Sequence, residues 1–279
     1  MTKTDCNGDK ESDFRLRENI KWLMFPGLNL HARLRFRSLP KYFGSAKNGR
    51  ERLVLDAGCG NGMLSYQSYL RGNRVIGVSI KEGEVARNRK LFNEFHGIPE
   101  DRLQFRVHNL YDVASLGMQF DEIICTEVLE HIERDEDVCR SFFEILKPGG
   151  VLHLCCPNAD HVYNQEDEID EHEGGGHVRS GYTWQSYQSL LDPLGFELSE
   201  PIGLGGPIRQ GCNNLILAAQ KYGRLALGIP MFLAVAPLTA LDVFAPKSIT
   251  PFCLYVRARK PVGDDATPAR RDASSVAAV

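Results

Sequence analysis

A glycine-rich turn is the first feature of the sequence that could do chemistry. The segment RLVLDAGCGNGMLSYQ, residues 52 to 67, joins an apolar run to a helix-like pattern through Gly58, Gly60 and Gly62. Glycines at the end of a strand allow a tight turn and close approach of the backbone to a ligand. A dinucleotide fingerprint needs its third glycine at position 63, where the chain has Met63, so the spacing disfavours NAD. A P-loop is excluded because no Gly-Lys-Ser/Thr follows.

Strands and helices alternate from residue 52 onward. A helical pattern separates the first apolar run from the second, and the helical pattern DEDVCRSFFEIL precedes the fifth apolar run. This alternation predicts an α/β fold of the Rossmann-like, doubly wound type, with a mostly parallel sheet and helices on both faces. The sheet is predicted to have seven strands, namely RLVLDAG, RVIGVSI, RLQFRVHNL, FDEIICTE, GVLHLCCPN, FELSEPIGL and PFCLYVRARK. In such a sheet, the loop after the first strand lies closest to the ligand.

Further segments flank this core. Residues 1–13 are polar and are predicted to be a flexible N-terminus, and residues 14–47 to form a helical cap of two short helices interrupted by Pro26 and Gly27. The principal domain is expected over 48–260, with an apolar helical insertion at about 206–248 before the last strand. Residues 261–279 have too few large apolar groups to pack and are expected to be disordered.

Composition limits the functional classes. The chain has 279 residues, of which 43% are hydrophobic and 25% charged, which suits one principal globular domain. A formal net charge of −3 gives no overall attraction to nucleic acid. The N-terminal residues lack the pattern of a secretion signal or transit peptide, so a cytoplasmic protein is expected. Eight cysteines in apolar segments, without a C-x-x-C pair, are expected to be reduced core residues.

The pattern D-x-G-x-G-x-G carries a resemblance. LVLDAGCGNG resembles the first motif of class I S-adenosylmethionine-dependent methyltransferases, and the similarity continues in order through FDEIICTEVLEHI, ILKPGGVLHLCCPN and GYTWQSYQSLLDPLGFEL. It covers roughly residues 50 to 204. The pattern is most similar to the small-molecule group that includes ubiquinone and menaquinone biosynthesis methyltransferases. The resemblance implies S-adenosyl-L-methionine as cofactor and methylation of a small molecule in biosynthesis.

The resemblance also implies roles for individual residues. Asp56 matches the acid that holds the cofactor's amino group, since a carboxylate suits an ammonium partner. The glycine loop that follows would lie under the methionine and ribose portions. After the fourth strand, Thr126 and Glu127 are expected beside the sulfonium. The loop residues assigned to the cofactor are Gly58, Cys59, Gly60, Asn61 and Gly62.

The second strand departs from the family's commonest pattern. It has Ser79 where most members have an acid that binds both ribose hydroxyls. The stretch is similar to cyclopropane-synthase-like and sterol-type methyltransferases, in which a polar residue five positions later serves the ribose. The resemblance therefore assigns Ser79 and Ile80 as contacts and Glu84 as the ribose acceptor. The alternative for Glu84 is a solvated glutamate on a helix.

The third strand is followed by VHNLYD. Here Asn109 and Leu110 stand where the family usually has an acid and a small or apolar residue against the adenine. An asparagine can still accept a hydrogen bond from the adenine amino group. Asp112 is an alternative, because the register is open by one position.

Histidines are the candidates for proton transfer. Methyl transfer from an activated sulfonium needs alignment and, for a hydroxyl acceptor, removal of a proton. His177 is the first candidate for a base or substrate contact; alternatively, His177 and Arg179 pair with Glu127 or Glu130 to anchor a lid. His131 is the second candidate, although its family counterpart more often supports the fold. A metal held by His172, His177 and nearby acids has no tight ligand motif, so none is predicted.

The apolar segment 225–241, LALGIPMFLAVAPLTAL, is uncharged but short for a bilayer span and is interrupted by Pro230 and Pro237. It is predicted to form a pair of short helices over the active site, which could also contact a membrane surface peripherally. Three hypotheses follow: methyl transfer to an apolar or amphipathic small molecule, with oxygen favoured over carbon or nitrogen; the same chemistry on a membrane-resident quinone, sterol or fatty-acid-like lipid; and a cofactor-binding regulatory module without catalysis. No nucleic-acid partner is expected.

Overall fold

The computed structural model describes residues 27–46, 49–165, 169–245 and 250–263. The predicted flexible N-terminus, residues 14–26 of the predicted cap and residues 264–279 of the predicted tail lie outside this range, as does Cys6. Within it, the predicted α/β architecture with a helical insertion before the last strand is confirmed.

The sheet has eight strands, in the order β3-β2-β1-β4-β5-β8-β6, with β7 pairing to β8. The pairs from β3 to β5 are parallel, and β8 is antiparallel to β5. The bounds are β1 Leu53–Ala57, β2 Arg74–Ser79, β3 Leu103–Val107, β4 Phe120–Thr126, β5 Leu146–Pro157, β6 Glu197–Leu198, β7 Ile202–Leu204 and β8 Cys253–Arg259.

The expectation of seven strands was wrong because the predicted sixth strand is divided. Its two ends form β6 and β7, and both pair with β8. Between them lies Pro201, which has no N–H to donate to a ladder. The break between β6 and β7 therefore follows from Pro201, because proline is not tolerated inside a central strand.

The helices cover both faces of the sheet. Their bounds are α1 Leu30–Ser38, α2 Met63–Tyr69, α3 Glu82–Asn88, continued by a π-helical stretch Arg89–Phe95, α4 Asp135–Ile145, α5 Val162–Gln165, α6 Trp184–Leu191 and α7 Pro207–Val235. Helix α4 shows why these segments are helical. Acidic residues occupy its first turn, where they favour the helix dipole, and Val138, Phe142 and Ile145 bury one face.

The strand periodicity divides the core into two layers. Neighbouring Cys155 and Cys156 of β5 are both buried but belong to apolar clusters on opposite faces of the sheet. The seven cysteines in the described part of the chain are free and buried, as the sequence predicts.

The insertion before β8 is a pair of packed helices that spans residues 207–244 rather than only the apolar segment 225–241. Helix α7 begins at Pro207, leaves helical geometry at Gly223 and Arg224, and continues as a 3-10 helix Ala236–Phe244. In a straight helix, positions eight apart are separated by about 12 Å. A Cβ on Gly228 would lie 2.6 Å from the Gln220 Cγ atom, so the two halves of α7 fold back against each other. We call residues 207–244 the helical hairpin.

Helix α1 joins the hairpin to the sheet. The Leu30 amide donates to Asn213 Oδ1 on α7 at 3.0 Å, and the His31 ring stacks on Phe252 beside β8 at 4.0 Å. The hairpin is closed at its base by Asp242, whose carboxylate accepts from the Ile208 amide at 2.9 Å. The described part of the predicted cap therefore packs against both the hairpin and the last strand.

A buried polar network anchors the entry to β1. Glu122 of β4 is fully buried and lies 3.0 Å from His153 Nε2 and 3.3 Å from Arg52, and it accepts from the Gly44 amide at 2.9 Å. The other ring nitrogen of His153 contacts the Tyr255 hydroxyl at 2.6 Å. Burial alone would raise the pKa of Glu122, but the His153 contact and the Gly44 amide outweigh burial, and the pKa is lowered. The carboxylate thus joins four separate parts of the fold.

We predict that Glu122→Gln lowers the free energy of unfolding at pH 7 by about 3 kcal/mol, because it removes the charge of a buried carboxylate that Arg52 and His153 both contact. Since the folded pKa lies below its ordinary value of 4.5, this stabilisation is present above that value and is lost as the pH falls. Urea unfolding at pH 7 and pH 3.5 tests both statements.

The matched control for this substitution is Glu51→Gln, which removes an exposed ion pair to Arg102 at 3.3 Å. It should change stability by no more than about 0.5 kcal/mol. Equal effects of the two substitutions would contradict the role assigned to the network.

Candidate active site

The candidate site lies where the strand order reverses. Strands β1 and β4 are neighbours, with their connections running in opposite directions along the sheet. A crevice forms at the carboxyl ends of the strands at such a point and is where ligands bind in this architecture. The register aligns Ala57 with Val78 and Cys125, and Ser79 with Val107. The predicted cofactor residues that follow β1, β2, β3 and β4 therefore lie along the same edge.

Asp56 is buried at this edge, with 3% of its surface exposed. Its carboxylate accepts a hydrogen bond from the Ser65 hydroxyl at 2.5 Å. Burial raises the pKa of Asp56 to about 6, and the bonds from Ser65 offset only part of the effect. A buried carboxylate without a cationic partner is a suitable acceptor for an ammonium group.

The glycine loop turns tightly and opens toward the crevice. The Gly58 and Cys59 amides both donate to the Val78 carbonyl of β2, at 3.0 and 2.8 Å. At Gly60 the φ angle is +48°, and a Cβ there would meet no atom within 4 Å. The Gly60 and Asn61 amides donate to no described residue. The loop therefore presents open space and two backbone donors, which fits the methionine and ribose portions of a bound cofactor.

The last residue of β2 is connected to the helix that follows. The Ser79 hydroxyl donates to Glu84 Oε2 at 2.8 Å and accepts from the Lys81 amide at 3.1 Å. Glu84 also lies 3.9 Å from Lys81 Nζ. Ile80 is exposed at the same edge, with 66% of its surface accessible. The structure thus places the predicted ribose acceptor beside Ser79, five positions away in sequence.

Asn109 and Leu110 begin a 3-10 helix after β3. Asn109 is exposed, and its side-chain oxygen accepts from the Tyr111 amide at 3.0 Å, while Leu110 is buried. The amide oxygen keeps a second lone pair for an external donor. Asp112, the alternative, is exposed in the same helix. Both adenine assignments remain predictions.

Glu127 stands at the end of β4 in a strained conformation, with a φ angle of +56°. Its carboxylate pairs with Arg35 of α1 at 3.0 Å and lies 3.7 Å from Cys253 Sγ. Burial alone would lower the pKa of Arg35, but the Glu127 carboxylate outweighs burial, and the pKa is raised above its ordinary value. The guanidinium therefore stays charged. Thr126 precedes Glu127 and is half-buried. The cap is therefore fixed to the site through a charged pair.

Two candidate histidines meet just beyond β4. His131 ends a 3-10 helix, Leu129–His131, and its ring centroid lies 4.7 Å from that of His177. His131 Nδ1 donates to the Gly176 carbonyl at 2.7 Å, and the Val178 amide donates to the Glu130 carbonyl at 2.8 Å. The loop that carries His177 is thereby fastened over the carboxyl end of β4.

Arg179 anchors the loop that carries His177, but through other partners than the acids Glu127 and Glu130 considered from the sequence. Arg179 does not pair with Glu127 or Glu130; it pairs with Asp135 and donates to the Tyr182 hydroxyl at 2.6 Å and the Ile132 carbonyl at 2.8 Å. Asp135 lies at the start of α4, closer to the base of the loop. His172 is exposed and contacts Glu133 at 3.3 Å, away from the histidine pair.

Three residues that support the site were not predicted from the sequence. Ser65 holds Asp56, and Arg35 holds Glu127. Asn88 of α3 donates to the Gly60 carbonyl at 2.9 Å. A small polar residue in the first turn after a glycine loop is a local signal that could have identified Ser65. Arg35 and Asn88 are brought to the site by packing and carry no such signal.

Comparison with known proteins identifies the family to which the chain belongs. The family described as a methyltransferase domain matches residues 29–200. The ubiquinone biosynthesis O-methyltransferase of Rattus norvegicus, a mitochondrial protein, is 27% identical over 162 residues, covering 54% of this chain and 46% of its own. The enzyme of the same name from Chromobacterium violaceum is 31% identical over 144 residues, covering 51% and 53%. The chain thus spans about half the length of these relatives.

A solved structure shares the fold. An S-adenosylmethionine-dependent methyltransferase from Mesorhizobium loti superposes with a TM-score of 0.53 at 16% identity, covering 82% of this chain and 99% of its own. At that identity the likeness concerns the fold. The family match covers more than half of the chain, and the buried acid and open glycine loop suit the family's cofactor. The protein belongs to the methyltransferase domain family and is a class I S-adenosylmethionine-dependent methyltransferase.

Proposed function

We propose that this methyltransferase transfers the methyl group to a hydroxyl oxygen of an apolar or amphipathic small molecule. The observation that carries the proposal is the His131–His177 pair beyond β4, with 4.7 Å between the ring centroids. Bound S-adenosylmethionine supplies an activated methyl group, and a hydroxyl must additionally lose its proton. Polar groups able to assist that loss stand at the same edge of the sheet as the glycine loop. The relatives named above, which are O-methyltransferases, support the preference for oxygen.

A separate cavity beside the cap favours a ligand with an apolar part. A cavity of about 380 Å³ lies between α1 and the hairpin, lined by Leu34, Phe232 and three arginines, Arg33, Arg37 and Arg209. Residues 33 and 37 occupy the face of α1 opposite Arg35, because successive residues rotate by about 100°. The cavity and the Arg35–Glu127 pair therefore lie on opposite faces of the same short helix. An amphipathic molecule with a polar or anionic group suits this lining, and it would lie behind α1, away from the histidine pair.

The direct test is methyl transfer from isotopically labelled S-adenosylmethionine to a panel of apolar phenols and alcohols, with matched anilines as nitrogen acceptors. Mass spectrometry of the products should show methylation of hydroxyls in preference to amines. Preferential methylation of the anilines would contradict the proposal. Cofactor binding without turnover on any acceptor would favour the regulatory module instead.

We predict that Asp56→Asn separates stability from cofactor binding. The raised pKa means that the folded protein is most favoured below the ordinary value of 3.8 and loses stability as the pH rises through about 6. Removing the charge should therefore stabilise the cofactor-free protein at pH 7.5 by about 2 kcal/mol, with little difference near pH 4. Urea unfolding at the two pH values measures this.

The same substitution should weaken S-adenosylmethionine binding at least about tenfold in calorimetric titrations, because a charge-assisted hydrogen bond to the ammonium is lost. Wild-type affinity should fall below about pH 6, as the carboxyl becomes protonated. Asp101→Asn, which changes an exposed acid before β3, is the control and should leave binding unchanged. Equal weakening by the two substitutions would contradict the contact assigned to Asp56.

We further predict that Glu84→Gln weakens cofactor binding about tenfold, because a carboxylate accepts from both ribose hydroxyls better than an amide does. Glu82→Gln in the first turn of the same helix is exposed and serves as the control. Calorimetry on both variants decides between the ribose acceptor and a solvated glutamate. Equal affinities for the two variants would support the solvated glutamate.

A second candidate function is the same chemistry on a membrane-resident quinone, sterol or fatty-acid-like lipid. The helical hairpin favours it: by length and composition this is the described segment that could cross a membrane, and 11% of its most apolar window is buried. Its kink and the arginines beside it suit a peripheral position on an anionic bilayer better than a span. Exposed apolar side chains on it include Tyr222, Leu225, Leu227, Leu233, Leu238, Leu241, Val243 and Phe244.

Co-sedimentation with vesicles tests this candidate. The protein should pellet with phosphatidylcholine vesicles containing phosphatidylglycerol and less with phosphatidylcholine alone, because anionic lipid attracts the arginines. The double substitution Leu233→Ser, Phe244→Ser should reduce pelleting severalfold. Leu70→Ser, which removes a similarly exposed leucine after α2, is the control. Equal pelleting of both variants would exclude the hairpin as the contact.

A further inference from the structure

One face of helix α1 combines arginines with leucines. Side chains three and four residues apart lie on the same side of a helix. That side of α1 consists of Leu30, Arg33, Leu34 and Arg37, and all four line the cavity between α1 and the hairpin. The hairpin contributes Arg209 and an apolar wall of Phe232, Leu233, Ala236 and Pro237. The cavity therefore combines three guanidinium groups with an apolar surface.

The segments that form the cavity carry one acid. Residues 27–50 contain none, and Asp242 is the one acid in residues 201–263. The Asp242 carboxylate already accepts from the Ile208 amide at 2.9 Å and from the Arg209 amide at 3.2 Å. Its distance to Nε of the Arg209 side chain is 3.7 Å. A carboxylate that also caps a helix therefore compensates the Arg209 guanidinium only in part.

The guanidinium groups of the cavity repel one another. Arg209 exposes 15% of its side chain, and its Nε has no hydrogen-bond partner among the described residues. Burial lowers the pKa of Arg209 and outweighs the Asp242 carboxylate, and the charge of Arg37 lowers it further. Arg37 forms no ion pair with a residue that the structure describes. An anion between Arg37 and Arg209 would offset this repulsion.

Arg33 is held in place beside these two side chains. Its Nε donates to the Gly27 carbonyl at 2.6 Å, and its guanidinium lies 4.5 Å from the centroid of the Phe232 ring. Burial and the charge of Arg37 lower the pKa of Arg33. The planar face of the guanidinium is thus packed against the apolar wall, which fixes a positive charge at the point where that wall begins.

The cavity is accessible and has the size of a small-molecule site. Arg37 is exposed, and Leu233 of the apolar wall exposes 65% of its surface, so the cavity opens to solvent. Its volume of about 380 Å³ lies within the range of ligand pockets, in which an apolar lining surrounds a few polar groups. Guanidinium groups bind carboxylate and phosphate oxygens through paired hydrogen bonds. The lining suits a molecule with an apolar chain or ring and one anionic end.

We propose that the cavity between α1 and the hairpin is a binding site for an amphipathic anion, whose carboxylate or phosphate lies on Arg37 and Arg209 and whose apolar part lies against the hairpin. The Arg35–Glu127 pair is on the opposite face of α1, so the ligand of this cavity is bound and not methylated. The site is independent of the acceptor proposed above. Its ligand contacts both α1 and the hairpin and therefore stabilises their packing.

The test uses the full chain and decanoate, kept below the concentration at which it forms micelles, in calorimetric titrations. Wild type should bind one decanoate per chain. Decyltrimethylammonium, with the same chain and the opposite charge, and inorganic phosphate, with no chain, should each bind more than about tenfold more weakly. Arg37→Gln and Arg209→Gln should each weaken decanoate binding about tenfold, because a charge-assisted hydrogen bond is lost.

The matched control is Lys221→Gln, which removes a positive charge from an exposed position on the same hairpin, outside the cavity. It should leave decanoate binding unchanged. Because Arg37 is exposed, Arg37→Gln keeps the test valid if Arg209→Gln does not fold. Titration of Arg37→Gln with S-adenosylmethionine should match wild type, which separates this site from the cofactor site.

A second arm distinguishes a free molecule from a bilayer lipid. Pelleting with phosphatidylcholine vesicles that contain phosphatidylglycerol is compared for wild type and Arg37→Gln. Saturable decanoate binding assigns the site to a free amphipathic anion. Reduced pelleting of Arg37→Gln without decanoate binding assigns it to the headgroup of an anionic lipid.

Three results would overturn the site: decanoate affinity equal in wild type, Arg37→Gln and Arg209→Gln; equal affinity for decanoate and decyltrimethylammonium; or neither decanoate binding nor a change in pelleting. Transfer of a labelled methyl group to decanoate would overturn the separation of this cavity from the acceptor site.

Discussion

The active-site edge of this protein is organised around buried and half-buried carboxyl groups that each need a positive partner. Asp56, Glu127 and Glu130 all lie at the carboxyl ends of β1 and β4, where the strand order reverses. Burial disfavours a charged carboxylate strongly unless a cation or donors compensate it. Glu127 has Arg35 as its counterion. Among the residues that the structure describes, Asp56 has the Ser65 donors alone, and its pKa stays raised. Glu130 is the least compensated, and burial raises its pKa to about 8, with the Glu127 charge adding to the effect.

This arrangement links stability to function. A scaffold optimised for stability alone would place apolar side chains at these positions, since the sheet around them is closely packed with leucine, isoleucine and valine. Retaining the carboxyl groups makes the cofactor-free protein less stable than it could be, and a positively charged ligand would offset this loss of stability. The ammonium of the cofactor satisfies Asp56 in the proposed complex. A ligand that brings a positive charge to such a group stabilises the fold by the same free energy that makes it bind.

Much of the fold could be predicted from the sequence, because it depends on local patterns. The order of strands and helices follows from apolar periodicity, and the glycine loop follows from its spacing after β1. The division of the sixth strand was missed, although Pro201 indicates it. Helix α7 begins at Pro207, well before the apolar segment 225–241. Asp56, Ser79 and Glu84 lie on one edge because adjacent parallel strands end there. The contacts of Arg35 and Asn88 could not be predicted, since they come from helices whose docking is decided by packing across more than twenty residues of sequence.

Helix α1 connects the two sides of the molecule on which function depends. One of its faces carries Arg35, which is buried against Glu127, and the opposite face lines the cavity with Arg33 and Arg37. The helix is only nine residues long and is held by the Asn213 contact to the hairpin. A displacement of the hairpin, on binding an acceptor or a surface, would therefore move α1 and alter the counterion of Glu127. The next ionisable group along the chain is Glu130, beside the histidine pair, so such a displacement would also change the charges that Glu130 faces.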